Sequence, residues 1–188
     1  MKNLLICLMS LASSIGHANA NEVVMTESAI SPAAPHCLTV GEGFVDPIGF
    51  HDATPVLSWK LPQGVTRQTG YQLMVEAEDS HWDSGWVETD QSVFIHYGGE
   101  ALKSRQRAVW RVRFRDEKGR VSDWSESASF ELGLLHSEDW EASWIRPSQE
   151  VDYALEPVAW LKRDFSMSRE LERARLHVTA RGVFEVSL

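Results

Sequence analysis

The chain has 188 residues, of which 43% are hydrophobic and 10% aromatic, and a formal net charge of −9. This apolar content is sufficient for a packed core, so general disorder is excluded. An acidic protein is a poor ligand for polyanions, and the charge therefore argues against nucleic acid or an anionic membrane as a partner.

Residues 1–20 have the features of a secretory signal peptide. Lys2 gives a positive start, Leu4–Leu11 is an apolar run, and Ala18-Asn19-Ala20 is a small-x-small cleavage site. The run is too short to cross a bilayer and no later run reaches ~18 apolar residues, so no membrane span is predicted. Cleavage removes one Lys and no acid, which leaves a charge of −10 on a chain expected to be exported to the periplasm or the medium.

The cysteines and histidines predict no disulfide, no metal site and no cofactor. Cys7 leaves with the signal peptide and Cys37 is then alone; lipid attachment at Cys7 is disfavoured because the apolar stretch before it is too short. The seven histidines are scattered, without a pair at ligand spacing. His36 adjoins Cys37, but neighbours on a strand face opposite ways, so a catalytic pair is not expected.

Residues 37–133 predict an all-β domain that follows a flexible leader, residues 21–36. The domain carries about seven short strand patterns with turn signals every ~8–12 residues, which is typical of an antiparallel β-sandwich. Val45–Gly49 is expected to interrupt the strands, because Pro47 lacks a donor and Gly49 tolerates positive φ. The strand candidates are Leu38–Glu42, Val56–Leu61, Tyr71–Ala77, two short ends around the turn in Trp82–Val87, Val93–Tyr97, the strand from Val109 and Ser127–Leu132.

The clearest pattern is the alternation that begins at Val109. Apolar and basic side chains follow one another with period two, which indicates a strand with an apolar inner face and a basic outer face, ending in a turn at Asp116–Gly119. Together with the other strands it predicts a core. The predicted inner-face residues are Trp59, Tyr71, Leu73, Val75, Trp110, Val112, Phe114 and Phe130.

Residues 134–157 predict a linker with a short helix. Ser137 is a suitable cap, and Trp140 and Trp144 would lie on one side of a single helical turn, packed between two domains. Residues 158–188 then contain three strand-like runs, Trp160–Phe165, Ala174–Ala180 and Val183–Leu188. Three strands cannot bury both faces of a second sheet, so this region is expected to be the start of an incomplete second β-sandwich.

Two aromatic features are candidate sites. Arg111, Arg113 and Arg115 form an outward basic ladder, and Trp124 is expected to return on the next strand and stack between the guanidiniums, as a structural element. Trp82 and Trp86 bracket a turn; packing against the sheet or a neighbouring domain is favoured, and contact with a sugar ring is the alternative.

An acidic cluster in the same region does not predict catalysis. Nothing in the sequence sequesters these side chains or raises a pKa, as a general acid requires, so a solvated face is the better interpretation. No catalytic residue is predicted. The cluster consists of Glu76, Glu78, Asp79 and Asp83.

The ordered set of motifs from Val45 to Leu188 resembles the N-terminal region of bacterial α-L-rhamnosidases. The matching residues are Asp46–Gly49, Pro55–Trp59, Gly70–Val75, Trp82–Gly85, Val109–Val112, Gly119 with Trp124-Ser125, Phe130–Leu135, Asp139-Trp140 with Trp144-Ile145, Leu161–Phe165 and Ala174–Phe184. The resemblance implies a fibronectin-type-III or immunoglobulin-like sandwich, followed by the opening strands of a jelly-roll-like domain.

In that family an α/α barrel follows and performs inverting hydrolysis of terminal α-L-rhamnose with two carboxyls ~6.5–9.5 Å apart. None of the family's catalytic motifs is present, so the chain by itself is expected to be an inactive, non-catalytic part. The expected partners are the missing C-terminal catalytic domain and a rhamnose-containing glycan. The alternatives are a free-standing carbohydrate-binding module and a protein-binding or adhesive sandwich.

Overall fold

The computed structural model describes residues 31–146, 161–166, 170 and 173–187. The predicted signal peptide and most of the predicted leader lie outside these residues, as does the second half of the predicted linker. Of the leader, Ser31–Pro35 is irregular, with the rings of Pro32 and Pro35 buried.

The described residues form nine strands and one 3₁₀ helix, so the all-β class predicted from the sequence is confirmed. The 3₁₀ helix is Ser137–Asp139. The strands are β1 (His36–Val40), β2 (Ile48–Phe50), β3 (Val56–Lys60), β4 (Gln68–Ala77), β5 (Ser80–Asp83), β6 (Val87–Glu88), β7 (Ile95–His96), β8 (Arg107–Asp116) and β9 (Ala128–Leu132).

The strands form two sheets of unequal size. The smaller has the order β1-β3-β7, and the larger runs β2-β9-β8-β4-β5, with β6 also paired to β4. All pairs are antiparallel except β2 with β9, which run parallel. The expectation that Val45–Gly49 only interrupts the strands is therefore wrong: Ile48 and Phe50 pair with Glu131 and Leu132. A three-residue strand is specified by its distant partner, which local residue preferences do not reveal.

The core lies between the two sheets and contains every residue predicted for it. Trp59, Trp110 and Phe114 are at most 2% exposed, and the other five predicted inner-face residues are also buried. Two polar side chains of the interior are hydrogen-bonded in sequence: the buried Trp59 Nε1 donates to Gln68 Oε1 at 3.1 Å, and Gln68 Nε2 donates to the Gln91 carbonyl at 2.6 Å. The buried indole and amide thus keep their hydrogen bonds.

The turn after β8 is closed by a buried carboxylate. Asp116 is fully buried, and its Oδ1 accepts hydrogen bonds from the backbone N–H groups of Lys118 at 2.9 Å and Arg120 at 2.8 Å. Its Oδ2 accepts from Arg120 Nε at 2.8 Å. Gly119 has φ of 76°, which a residue with a side chain rarely adopts. The predicted turn is confirmed, and Asp116 holds it.

Two expectations for the C-terminal third are wrong. No described residue of 161–166 or 173–187 belongs to a strand, because a strand needs a neighbour for its N–H and C=O groups and these segments pair with none of the described strands. The helix is a single 3₁₀ turn in which Ser137 is the first residue rather than the cap. It ends at Asp139, so Trp140 and Trp144 do not share a helical turn.

Candidate functional site: the arginine–tryptophan face

Two serines position Trp124 by pairing with β8. The backbone N–H of Ser122 donates to the Phe114 carbonyl and that of Ser125 to the Val112 carbonyl, each at 2.9 Å. In return, Ser122 Oγ accepts from Phe114 N and Ser125 Oγ from Val112 N, each at 3.1 Å. Trp124 does not lie on a strand, as the sequence had suggested, but in the irregular connection between β8 and β9.

The outward arginines of β8 alternate with two tryptophans. The guanidinium carbons of Arg111 and Arg113 lie 4.9 and 4.7 Å from the centroid of Trp124. Those of Arg113 and Arg115 lie 5.3 and 4.5 Å from the centroid of Trp86. The order is therefore Arg111, Trp124, Arg113, Trp86, Arg115, and these five residues are called the arginine–tryptophan face. Arg115 contacts Trp86 and not Trp124, and the role of Trp86 in this face was missed.

Neighbouring strands supply polar partners for this face. Gln72 Oε1 accepts from Arg113 Nε at 3.0 Å and Nη2 at 2.6 Å, and Glu88 Oε1 lies 2.7 Å from Arg115 Nη1. The Gln72 amide in turn donates to both oxygens of Asp83 at 2.9 Å. That hydrogen bond is the largest cause of the lowered pKa of Asp83. Arg113 and Arg115 are therefore hydrogen-bonded to neighbouring strands as well as stacked on the rings.

Trp82 has surroundings different from those of Trp86. Its half-buried ring lies edge-to-face against Tyr97, with centroids 5.2 Å apart and an interplanar angle of 81°. A Cβ atom at Gly98 would lie 3.0 Å from Trp82 Cζ2, so the ring also packs closely over that glycine. Both tryptophans thus have protein partners, and a sugar contact by either remains a prediction.

The acidic cluster has the geometry of a solvated surface. Glu76, Glu78 and Asp79 are exposed, and Asp79 Oδ2 lies 3.9 Å from Lys103 Nζ. The fourth member, Asp83, has a lowered pKa, opposite in direction to what a general acid needs. Asp83 is therefore not suited to protonate a leaving oxygen.

The expectation that His36 and Cys37 face apart is wrong. Cys37 has φ of 51° and the β1–β3 register shifts beside it, so His36 Nδ1 lies 3.1 Å from Cys37 Sγ. His36 Nε2 lies 3.2 Å from the Leu61 carbonyl, to which it donates. Both side chains are exposed on an edge strand.

Neither a metal cluster nor a membrane span is found within the described ranges. No three His, Cys, Asp or Glu side chains there are grouped to hold an ion. No helix in that part of the chain is long and apolar enough to cross a bilayer.

Comparison with known proteins gives a consistent result. Residues 35–136 match the family model described as a Rha78A-like, N-terminal immunoglobulin domain. An α-L-rhamnosidase of Formosa agariphila is 38% identical over 177 residues, covering 86% of this chain and 19% of that protein. One from an Alteromonas species is 37% identical over 180 residues, covering 87% and 20%. The chain therefore spans about a fifth of the length of the curated relatives it matches.

Solved structures agree with the sequence matches. The Streptomyces avermitilis α-L-rhamnosidase complexed with L-rhamnose superposes with a TM-score of 0.55 at 34% identity, over 60% of this chain and 12% of that one. The α-L-rhamnosidase of Dictyoglumus thermophilum gives 0.57 at 32% identity, over 62% and 14%. This chain belongs to the family of Rha78A-like N-terminal immunoglobulin domains, the N-terminal β-sandwich of α-L-rhamnosidases.

Proposed function

We propose that this chain is the exported, non-catalytic N-terminal portion of an α-L-rhamnosidase-like glycoside hydrolase and that its sandwich braces the remainder of the enzyme. One observation carries the proposal. The alignment to the Formosa agariphila α-L-rhamnosidase covers 177 residues, whereas the immunoglobulin domain occupies 35–136, so the likeness continues beyond the sandwich. The activity proposed for the whole protein is inverting hydrolysis of terminal α-L-rhamnose.

The arginine–tryptophan face supports bracing over catalysis. Its charges are engaged by aromatic rings and by Gln72 and Glu88, so the sheet is stiffened on its outer side without a reactive group being presented. The acid and base of the proposed reaction are expected in the barrel that follows in the family. The purified chain should therefore not hydrolyse an aryl α-L-rhamnoside, and hydrolysis would overturn the non-catalytic assignment.

A chimera tests bracing directly. In the Formosa agariphila enzyme, the matching N-terminal region is deleted, replaced by this chain, or replaced by an unrelated fibronectin-type-III sandwich of equal length. Bracing predicts that this chain restores the melting temperature and kcat/KM lost on deletion, and that the unrelated sandwich does not. If the deletion variant is as stable and active as the chimera, the bracing function is wrong.

A second function, presentation of rhamnosylated glycan, is favoured by the position of Trp82. The ring is half-buried beside an exposed turn, although it also contacts Tyr97 and Gly98. If the chain binds L-rhamnose or a rhamnosylated polysaccharide, Trp82→Ala should abolish binding, while Trp144→Ala, at an exposed tryptophan in the linker, should retain it. Absence of glycan binding in the folded chain would favour bracing or protein adhesion.

The export part of the proposal rests on residues 1–20. Cleavage after Ala20 predicts that the mature protein begins at Asn21 and is recovered from the periplasm or the medium. N-terminal sequencing of the secreted fraction tests this, and recovery of the chain from the cytoplasm with Met1 intact would contradict it.

A further inference from the structure

Glu131 is a carboxylate that the alternation of β9 directs away from the core, yet it is only 4% exposed. It pairs in register with Arg107 on β8, and its backbone N–H donates to the Pro47 carbonyl at 2.9 Å. A buried carboxylate is costly unless a cation and hydrogen bonds compensate for its lost hydration. The groups that cover Glu131 and compensate its charge therefore affect the stability of the sandwich.

The compensating groups come from residues 173–187, beyond the sandwich and its linker. Arg175 Nε donates to Glu131 Oε1 at 2.7 Å and Arg175 Nη2 to Oε2 at 3.0 Å, a bidentate pair. Arg173 Nη1 lies 3.6 Å from Oε2. The hydrogen bonds from Arg175 are the largest cause of the lowered pKa of Glu131; burial opposes them, and the charges of Arg173 and Arg107 add to the lowering.

A second contact joins the same segment to the linker. The guanidinium carbon of Arg181 lies 5.1 Å from the centroid of Trp144, a ring that is 65% exposed. Beside Glu131, a cavity of about 320 Å³ is lined by Asp46–Ile48, by residues of β8 and β9 and by Arg173 and Arg175, and the lining residue Ile48 is 64% exposed. The segment is thus held at two points over a partly filled surface.

We propose that Glu131, backed by Arg107, is a docking site on the immunoglobulin-like sandwich for residues 173–187 of the same chain, with the Glu131–Arg175 pair as the latch. The bidentate geometry fixes the direction in which the chain leaves the sandwich, which a flexible single-point contact would not do. The proposal deepens the proposed bracing function and rests on it. A segment fixed to the sandwich would orient the part of the enzyme to which the segment belongs.

Limited trypsin digestion of the purified chain tests the latch. Trypsin must take the arginine side chain into its own pocket, so Arg175 bound to Glu131 is protected. Glu131→Gln keeps the shape but removes the charge, and should speed cleavage after position 175 by at least about tenfold, because hydrogen bonds to charged groups contribute more than neutral ones. Cleavage after Lys162 and Arg163, in the same digest, should be unchanged. Glu126→Gln, at an exposed carboxylate of the sandwich, is the matched control.

A second variant covers the case in which Glu131→Gln unfolds the sandwich, which near-UV circular dichroism would reveal. Arg175→Lys keeps the charge and the trypsin site but cannot form the bidentate pair, so cleavage there should also accelerate relative to Lys162. An unchanged rate ratio in either folded variant overturns the latch, as does equal acceleration by Glu126→Gln. A latch that holds in this digest while the chimera shows no bracing would refute the proposed function alone.

Discussion

Substitution of Trp124 by leucine should destabilise the sandwich by about 1–2 kcal/mol. Leucine keeps apolar bulk but removes two cation–π contacts, with Arg111 at 4.9 Å and Arg113 at 4.7 Å. At a half-exposed site each is worth ~0.5–1 kcal/mol. For a domain of ~100 residues, a loss of that size lowers the melting temperature by roughly 4–16 °C.

A double-mutant cycle isolates the contact from general packing. Trp124→Leu, Arg111→Met and the double variant are unfolded in urea and followed by far-UV circular dichroism. The coupling free energy should be about 0.5–1 kcal/mol. Arg111 is chosen because, within the described residues, its guanidinium stacks on Trp124 and on no second ring, whereas Arg113 contacts two rings.

Arg67, in the exposed loop before β4, provides the control. Arg67→Met combined with Trp124→Leu should be additive, since the two side chains share no contact in the part of the chain that the structure describes. Additivity between Trp124 and Arg111 as well, within ~0.3–0.5 kcal/mol, would refute the stacking argument.

Three further substitutions test the interior. Trp110→Ala should cost ~3–5 kcal/mol and leave the domain largely unfolded; a cooperative melt near the parent temperature would contradict its place in the core. Gln68→Leu should cost ~1–3 kcal/mol in urea unfolding, since it leaves the Trp59 indole N–H buried without an acceptor, and adding Trp59→Phe should recover part of the loss. For Asp116, burial alone raises the pKa, but hydrogen bonds from Arg120 and Lys118 outweigh it and the folded-state pKa is lowered. Its stabilisation is therefore present above the unfolded pKa of ~3.9 and lost as pH falls through the folded value, so Asp116→Asn should be most destabilising near neutral pH and approach the parent in acid.

Period-two alternation was sufficient to predict β4, β8 and the core residues that these two strands contribute at Tyr71–Val75 and Trp110–Phe114, because both strands have one buried face and one polar face. It also indicated the stacking of arginines on Trp124, since the side of a strand on which a residue lies follows from its parity. The part played by Trp86 was not accessible, because it depends on how the turn at Gly85, with φ of 59°, brings the chain back over β8.

The burial of Glu131 shows the limit of the same reasoning. Alternation with Phe130 and Leu132 places Glu131 on the outer side of β9, but alternation does not say what covers that side, and here arginines more than 40 residues later do so. Strand β2 was missed for a related reason: Pro47 and Gly49 are strand breakers locally, while pairing with β9 is decided elsewhere in the chain. The described residues after 158 contain no strand, because alternation specifies a face and not a neighbour.

The parallel pairing of β2 with β9 has a consequence for the order of folding. Asp46 accepts a hydrogen bond from the backbone N–H of Ser129, 83 residues later, so one margin of the large sheet joins the two ends of the sandwich. During synthesis, β2 therefore has no strand to pair with until β9, near the end of the domain, has left the ribosome. The antiparallel pairing of β4 with β8 closes a shorter loop, since Ala77 pairs with Ala108, so pairing of β2 with β9 is expected to be the later and entropically more demanding event.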